Sequence, residues 1–476
     1  MDVARGIGAH IHESRITNHV FTHHVPFHVS HFVLRYVANR NFAESVARMA
    51  EVDRGGVGEL EPSARKASLG LIFVIVFIDL LGFAIVLPLL PRYAQRLNAS
   101  PGEIGLLFSA FSAMQFIFAP LWGRLSDRIG RRPALLAGLL GSVVFYSLFG
   151  VAAKVESLAL MYVARIGAGI AGATISTAQA YIADATGIQG RAKGMALIGA
   201  AFGVGFTFGP IIGSLSLPDK NSLAAAVAPL NAFPMFLAAG LSLAAFIFAF
   251  FKLPESLRTG AVAERRAWFN THALREAFKT PSVGTLLILF FMTTFAFAQF
   301  ESTLSLLTGK FGMDEKYNFY LFSLMGLTLC FMQGVLVRAL VPRLGEPLMI
   351  ILGTIFLASG LWLVSLAAEE KSTKFLLAIM PLLVAGFSFV TPSAQSLISR
   401  RSDPSRQGEI LGLSQSASAM ARILGPYCGN KLFGLSIILP YQVAAVLIIP
   451  AFLMAVFTVG SGKDWAVAPE STEPAK

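Results

Sequence analysis

The chain has 476 residues and a formal net charge of +11; 55% of its side chains are hydrophobic and only 14% are charged. A soluble domain is about one quarter charged, so a chain of this length lacks the polar surface to fold as a cytosolic enzyme. The same composition excludes a disordered chain and a small disulfide scaffold. The positive charge sits in short loops between apolar runs, the pattern of cytoplasmic membrane-protein loops. It forms no basic stripe interleaved with aromatics, so nucleic acid is not an expected partner. Cys330 and Cys428 lie inside apolar runs and read as small hydrophobes rather than as a disulfide.

Residues 1–67 hold seven of the eight histidines and no 18-residue apolar run. No ligand spacing repeats, which favours a mobile extension, or translated upstream sequence with the start at Met49, over a metal-binding tail. From Leu69 onward twelve apolar spans follow, at about 69–91, 103–123, 134–153, 157–183, 192–217, 228–252, 282–307, 317–341, 347–367, 374–398, 407–434 and 437–459. Each is long enough to cross a bilayer as a helix, and a helix satisfies its own backbone there. The expected fold is therefore an all-α polytopic membrane protein with twelve transmembrane helices. Segment 253–281 is polar and reads as a linker between halves 68–252 and 282–459, with 460–476 as a tail. The even-numbered connections carry 17 Lys and Arg against 9 in the odd ones. This places the even connections and both termini in the cytoplasm of a cell (inner or plasma) membrane protein.

The halves repeat. Leu125-Ser126-Asp127-Arg128-Ile129-Gly130 aligns with Leu340-Val341-Pro342-Arg343-Leu344-Gly345 at a shift of 215, and Gly209-Pro210-Ile211-Ile212-Gly213 with Gly425-Pro426-Tyr427-Cys428-Gly429 at 216. Thr177-Ala178-Gln179 aligns with Ser393-Ala394-Gln395, also at 216. Two six-helix bundles with a central site at their interface follow, a frame that gives alternating access by rocking.

Four ionisable residues lie inside spans: Asp79 in span 1, Arg165 in span 4, Glu301 in span 7 and Arg422 in span 11. Each costs ~2.5–3.5 kcal/mol at a helix centre, which marks it as functional or paired. The order of signs invites Asp79 to pair with Arg165 and Glu301 with Arg422. A desolvated carboxylate holds a proton more tightly and a neighbouring guanidinium opposes this, so a conformational change can load or release a proton at either acid.

The loop Gly123-Arg124-Leu125-Ser126-Asp127-Arg128-Ile129-Gly130-Arg131-Arg132-Pro133 is the sharpest local signal. Its glycines permit a tight turn. Asp127 can pair with an Arg or face a helix N-terminus, and the basic residues can meet anionic membrane lipid. In span 4, Gly169 and Ala173 continue the Arg165 face, while Ala168, Gly172 and Ser176 form a second small face for close packing. Span 5 carries Gly203, Gly205, Gly209-Pro210 and Gly213, and Pro210 removes a backbone donor. Uncharged candidates for substrate contact are Gln115, Gln179, Asn231, Gln299, Gln333 and Gln415; a hydrogen bond between helices is the alternative for each. No phosphate loop, zinc-ligand pair or catalytic triad is present. The chain is expected to be no enzyme and to hold no metal or cofactor, a proton gradient supplying the energy.

These residues resemble the major facilitator superfamily, and within it the twelve-span drug:proton antiporters. Gly123–Pro133 is similar to the family's cytoplasmic signature loop, Arg165 with its glycines to the span-4 motif, and Gly205-x-x-x-Gly209-Pro210-x-x-Gly213 to the span-5 antiporter motif, with Ser214 in place of a final glycine. Asp79-x-x-Gly82 followed by Pro88-Leu89-Leu90-Pro91 resembles tetracycline efflux proteins. Glu301-Ser302-Thr303-Leu304-Ser305-Leu306-Leu307-Thr308 and Gly326-Leu327-Thr328 are similar to animal tetracycline-transporter-like members. The resemblance implies a conformational latch at Gly123, Asp127, Arg128, Gly130, Arg131 and Arg132, closing against the second half. It makes Arg165 part of proton coupling, Asp79 or Glu301 the proton-carrying or cation-recognising acid, and span 5 a barrier to leak. Pro342 stands where a second Asp127 would be, so a second latch of the same kind is not implied. The implied function is proton-coupled efflux of a small amphipathic organic compound, tetracycline- or multidrug-like, by a monomer. An uptake symporter and a non-transporting scaffold or receptor are the alternatives.

Overall fold

The computed structural model describes residues 62–217, 230–257, 281–402 and 407–461, all within the compact unit Gly55–Lys476. The N-terminal extension with its histidines, most of the central linker and the C-terminal tail lie outside the described residues. Span 1 is Pro62–Val86 and continues as a short helix, Leu90–Arg96. Span 2 is Pro101–Ile129, span 3 Arg131–Lys154, and span 4 Leu158–Gly172 and on to Thr186. Span 5 is the last stretch of the helical run Ile175–Leu215, and span 6 is Phe233–Lys252. In the second half, span 7 is Pro281–Lys310, and span 8 runs Glu315–Phe331, through a π-helical turn at Met332–Leu336, to Val337–Leu344. Spans 9 to 12 are Glu346–Glu369, Thr373–Arg400, Gln407–Leu435 and Leu439–Ser461. Among the described residues eleven spans are apolar enough to cross a membrane by length and composition; span 11 is the exception.

Local chemistry sets the helix starts. Ser100 and Glu103 form a reciprocal capping box at span 2. Ser157, Asp314 and Ser372 accept the third backbone N–H of spans 4, 8 and 10, satisfying donors that a helix leaves open.

The duplication recurs in the turns. Among the described residues, positive φ occurs at Asn98, Gly130 and Glu156 in the first half and at Gly312, Gly345 and Lys371 in the second. These match pairwise, 214 or 215 residues apart. Gly130 (φ 106°, ψ 154°) and Gly345 (φ 77°, ψ 156°) make the same turn between spans 2 and 3 and between 8 and 9, in a region of φ that favours glycine. Packing repeats too. Span 1 lies on 5 and 6, and span 3 on 4 and 6; correspondingly, span 7 lies on 11 and 12, and span 9 on 10 and 12. Across the halves, span 2 meets span 11 and span 5 meets span 8. The twelve helices are thus two six-helix bundles with equivalent internal packing.

Arg131 at the start of span 3 bonds Asp184 near the end of span 4, at 3.0 Å. The equivalent positions, 215 and 216 residues on, hold Glu346 and Arg400, bonded at 2.8 Å. The second half keeps the bond with its charges exchanged.

The seam between the halves is shut at one end and open at the other. At the end away from the 2–3 and 8–9 turns, a Cβ on Gly105 would lie 2.8 Å from the Pro426 carbonyl oxygen and Tyr427 Cα, and one on Gly434 2.7 Å from Pro101. On the second seam, Gly213 abuts the Phe319 ring and Gly326 the backbone of Phe206 and Thr207. Toward the basic end the same stripes lose their neighbours. Gly123 lies about five turns from Gly105 on one face of span 2, and nothing comes within 4 Å of its Cβ position. Gly199 of span 5 and Gly412 of span 11 are equally open. The bundles touch at the far end and diverge toward the basic end. A leucine at position 105 must push backbone apart, so Gly105→Leu is expected to cost about 1–3 kcal/mol and lower the melting temperature in detergent. Gly123→Leu is expected to leave it unchanged.

Candidate transport site

Asp79 is partly buried in span 1 and faces spans 3 and 6 of its own half. The Ser242 hydroxyl of span 6 donates to its carboxylate at 3.3 Å, and the Ser142 hydroxyl of span 3 bonds it as well. Gly82, one turn on, makes room: a Cβ there would meet the Tyr146 ring at 3.2 Å and Ser242 Oγ at 3.5 Å. A cavity of about 20 Å³ lies beside Asp79, lined by Val76, Leu135, Leu139, Thr174 and Ala178, enough for one water.

Arg165 is only 2% exposed. Its Nε donates to the Leu107 carbonyl at 3.4 Å, and the guanidinium lies over the Phe111 ring, 4.5 Å from its centroid. The Phe83 ring is 6.0 Å away, and Nη1 has no hydrogen-bond partner. The expected Asp79–Arg165 ion pair is not formed. Span 2 holds the guanidinium through a carbonyl and a ring face, while spans 3 and 6 hold the carboxylate through hydroxyls. Tyr146, buried on span 3, lies within electrostatic reach of both. The Phe111 ring continues into Phe83 (4.9 Å), Phe206 (5.9 Å) and Phe202 (6.3 Å), an aromatic row that reaches the seam at Gly326.

Glu301 and Arg422 lie within electrostatic reach of one another but are also not an ion pair. The Arg422 charge acts on Glu301, yet Arg422 makes no hydrogen bond or ion pair among the described residues. Glu301 is half-buried and Arg422 exposed.

The signature loop is tied down inside the first half. Arg131 bonds Asp127 at 2.6 Å, Asp184 at 3.0 Å and Ser126 Oγ at 2.7 Å. Glu255, just past span 6, accepts the backbone N–H groups of Arg131 and Arg132 at 2.8 and 3.1 Å. A carboxylate is favourable at that helix start. Arg132 also donates to the Phe250 carbonyl, and Arg128 is exposed. Among the described residues Asp127 bonds Arg131 of its own half and has no partner in the second half, so the contact that a latch needs is not formed.

The span-4 glycines serve close packing: Gly169 and Gly172 both abut span 2 at Phe111. In span 5, Gly205 and Gly209 lie on Leu80 and Ala84 of span 1, while Gly213 reaches across to Phe319. The amides divide. Gln115 donates to the Gly172 carbonyl at 3.2 Å. Asn231 bonds the Ser216 carbonyl and the Phe233 N–H at the far end, ordering a turn. Gln299 is 1% exposed, packed on Gly429, with both amide atoms unpartnered. Gln179 and Gln333 are half-buried and Gln415 is exposed, none bonded among the described residues. Cys330 and Cys428 are free and half-buried.

A clasp at the far end was not foreseen. Arg92 donates to the carbonyls of Ser305 (3.3 Å) and Met313 (2.8 Å) and to Thr308 Oγ1 (2.9 Å). The Pro88 carbonyl accepts Ser305 Oγ at 2.7 Å and Asn318 Nδ2 at 2.8 Å. Arg96 bonds Glu315 at 2.9 Å. The sequence signal was Ser302, Thr303, Ser305 and Thr308 crowded into one apolar span.

Residues 72–426 match the Major Facilitator Superfamily. The chain belongs to this superfamily. It is 32% identical to the class E tetracycline resistance protein of Escherichia coli over 74% of this chain and 84% of that protein. It is 27% identical to multidrug resistance protein 2 of Bacillus subtilis over 79% of this chain and 90% of that one. The crystal structure of the human organic anion transporter MFSD10 superposes with a TM-score of 0.61 at 26% identity, covering 83% of this chain and all of that one. This superfamily member is thus a multi-pass membrane transporter of small molecules and not an enzyme. Its clasp rests on charge-assisted hydrogen bonds, each worth about 1.5–3 kcal/mol. Arg92→Ala is expected to open the far end at least tenfold more often. Spin labels at Gln95 and Tyr320 would report this as a new, longer distance.

Proposed function

We propose that this transporter exports a small amphipathic organic compound, tetracycline- or multidrug-like, in exchange for protons. The observation that carries the reading is the seam, closed at the far end and open at the basic end, with aromatic and ionisable groups between the halves. That is one of the two states a rocking carrier needs. With the Lys- and Arg-rich loops in the cytoplasm of the cell membrane, as both termini would be, the open end faces the compartment from which an exporter loads.

Each candidate then has a task. The Phe83, Phe111 and Phe206 rings offer an apolar bed to a drug-sized ligand. Asp79, apart from the aromatic row but in contact with it through Tyr146 and Arg165, carries the proton. Arg165, without a carboxylate partner, responds to its charge. Gly205, Gly209 and Gly213 press span 5 onto spans 1 and 8 and close the path to ions. The Asp127 loop meets the second half when the basic end shuts. Resistance to tetracycline and to several drugs, in the names of the bacterial relatives, supports the cargo class.

The reading is tested in reconstituted vesicles with tetracycline and an imposed pH difference. Asp79→Asn and Arg165→Ala are each expected to abolish pH-driven flux while the protein still inserts in the membrane. Undiminished pH-driven flux in both variants refutes proton coupling through this half.

A further inference from the structure

Span 11 carries a face that the proposed function has not used. It packs on span 7 through Gly425 and Gly429, which lie against Phe295, Ala298 and Gln299. It packs on span 2 through Pro426, Tyr427 and Ile423, whose carbonyl accepts from Ser109. At about 100° per residue, Arg422 lies in the angle between these two contact strips, on the side of the interior. The exposed residues Met420, Leu424 and Lys431 lie on the opposite side, toward lipid. Gln415, seven residues earlier and so on the same face as Arg422, is also exposed and points the row toward the open basic end. These polar groups set span 11 apart from the eleven apolar spans.

Glu301 approaches the same space from span 7. It lies one turn from Ser305, whose hydroxyl crosses the seam to Pro88, so it faces the first half. Base and acid feel one another but do not close into an ion pair, and among the described residues Arg422 has no other partner. Two opposite charges left apart in a membrane interior are costly singly, and a ligand that neutralises only one leaves the other bare.

Resting on the carrier reading, we propose that this seam recognises a dipolar amphipath. The ligand's acidic group meets the Arg422 guanidinium, its ammonium meets Glu301, and its apolar body lies toward the Phe83–Phe111–Phe206 row. The pair selects against mono-charged analogues, because each leaves one protein charge unmatched. Gln415 supplies an amide on the way in.

Binding without a proton gradient tests this. The probes are Nε-dansyl-lysine, which is dipolar, its methyl ester, which is a cation, and its Nα-acetyl derivative, which is an anion, read by dansyl fluorescence. The native protein is expected to bind the dipolar probe at least tenfold more tightly than either derivative. Arg422→Gln is expected to weaken the dipolar and anionic probes about tenfold and spare the cation. Glu301→Gln is expected to weaken the dipolar and cationic probes about tenfold and spare the anion. Arg422→Lys, keeping the charge, retains the native order and serves if the glutamine variant melts early. No binding of any probe, equal native affinity for all three, or equal weakening of all three in each variant overturns the inference. Tetracycline flux in the same preparation separates the two readings. Flux with the wrong probe order sinks only the dipolar site; the expected probe order without flux sinks only the exporter.

Discussion

A helix normally keeps its carbonyls for itself, and span 1 does not. Pro88 and Pro91 bring no N–H, and the helix breaks between Val86 and Leu90. The break frees the Pro88 carbonyl for two donors from the second half, and it turns Arg92 toward spans 7 and 8. A buried carbonyl without a donor is costly, so the broken helix and its neighbours need each other. The rest of the arrangement depends on this bond across the seam: the bundles are joined where it sits and separate with distance from it.

The charged residues divide along the same line. The first half holds its acid and base apart on different helices, the acid by hydroxyls and the base by a carbonyl and a ring face. The second half leaves its acid and base open to the space between the bundles. The aromatic row from Phe111 to Phe202 lies between these two sets. On the proposed reading, one titratable group stands apart from the cargo and another beside it, with the packed rings and Tyr146 between them.

Much of this was readable in the residues. The spans followed from hydropathy, and the duplication from three short matches. The paired positive-φ turns at Asn98 and Gly312, Gly130 and Gly345, and Glu156 and Lys371 show how faithfully the repeat persists. Partner choice was not readable. Asp79 and Arg165 suggested a pair because opposite charges in apolar helices attract, but helix rotation decides which neighbour is met, and rotation is fixed by packing such as Tyr146 on Gly82. The Glu255 cap on span 3 joins residues 124 apart, a distance along the chain that no local motif reports. Pro342 removes the counterpart of Asp127, but the second half keeps an ionic tie one turn later, between Glu346 and Arg400, with the signs exchanged.

That exchange bears on how the machine spends its energy. Arg131 with Asp184, and Glu346 with Arg400, each close within a single bundle. On the carrier reading, tilting one bundle past the other stretches neither bond, so each half keeps its ionic clip as it moves. On the same reading, the barrier between two orientations is set by what crosses the seam, span 2 on span 11, span 5 on span 8 and the bonds at Pro88 and Arg92.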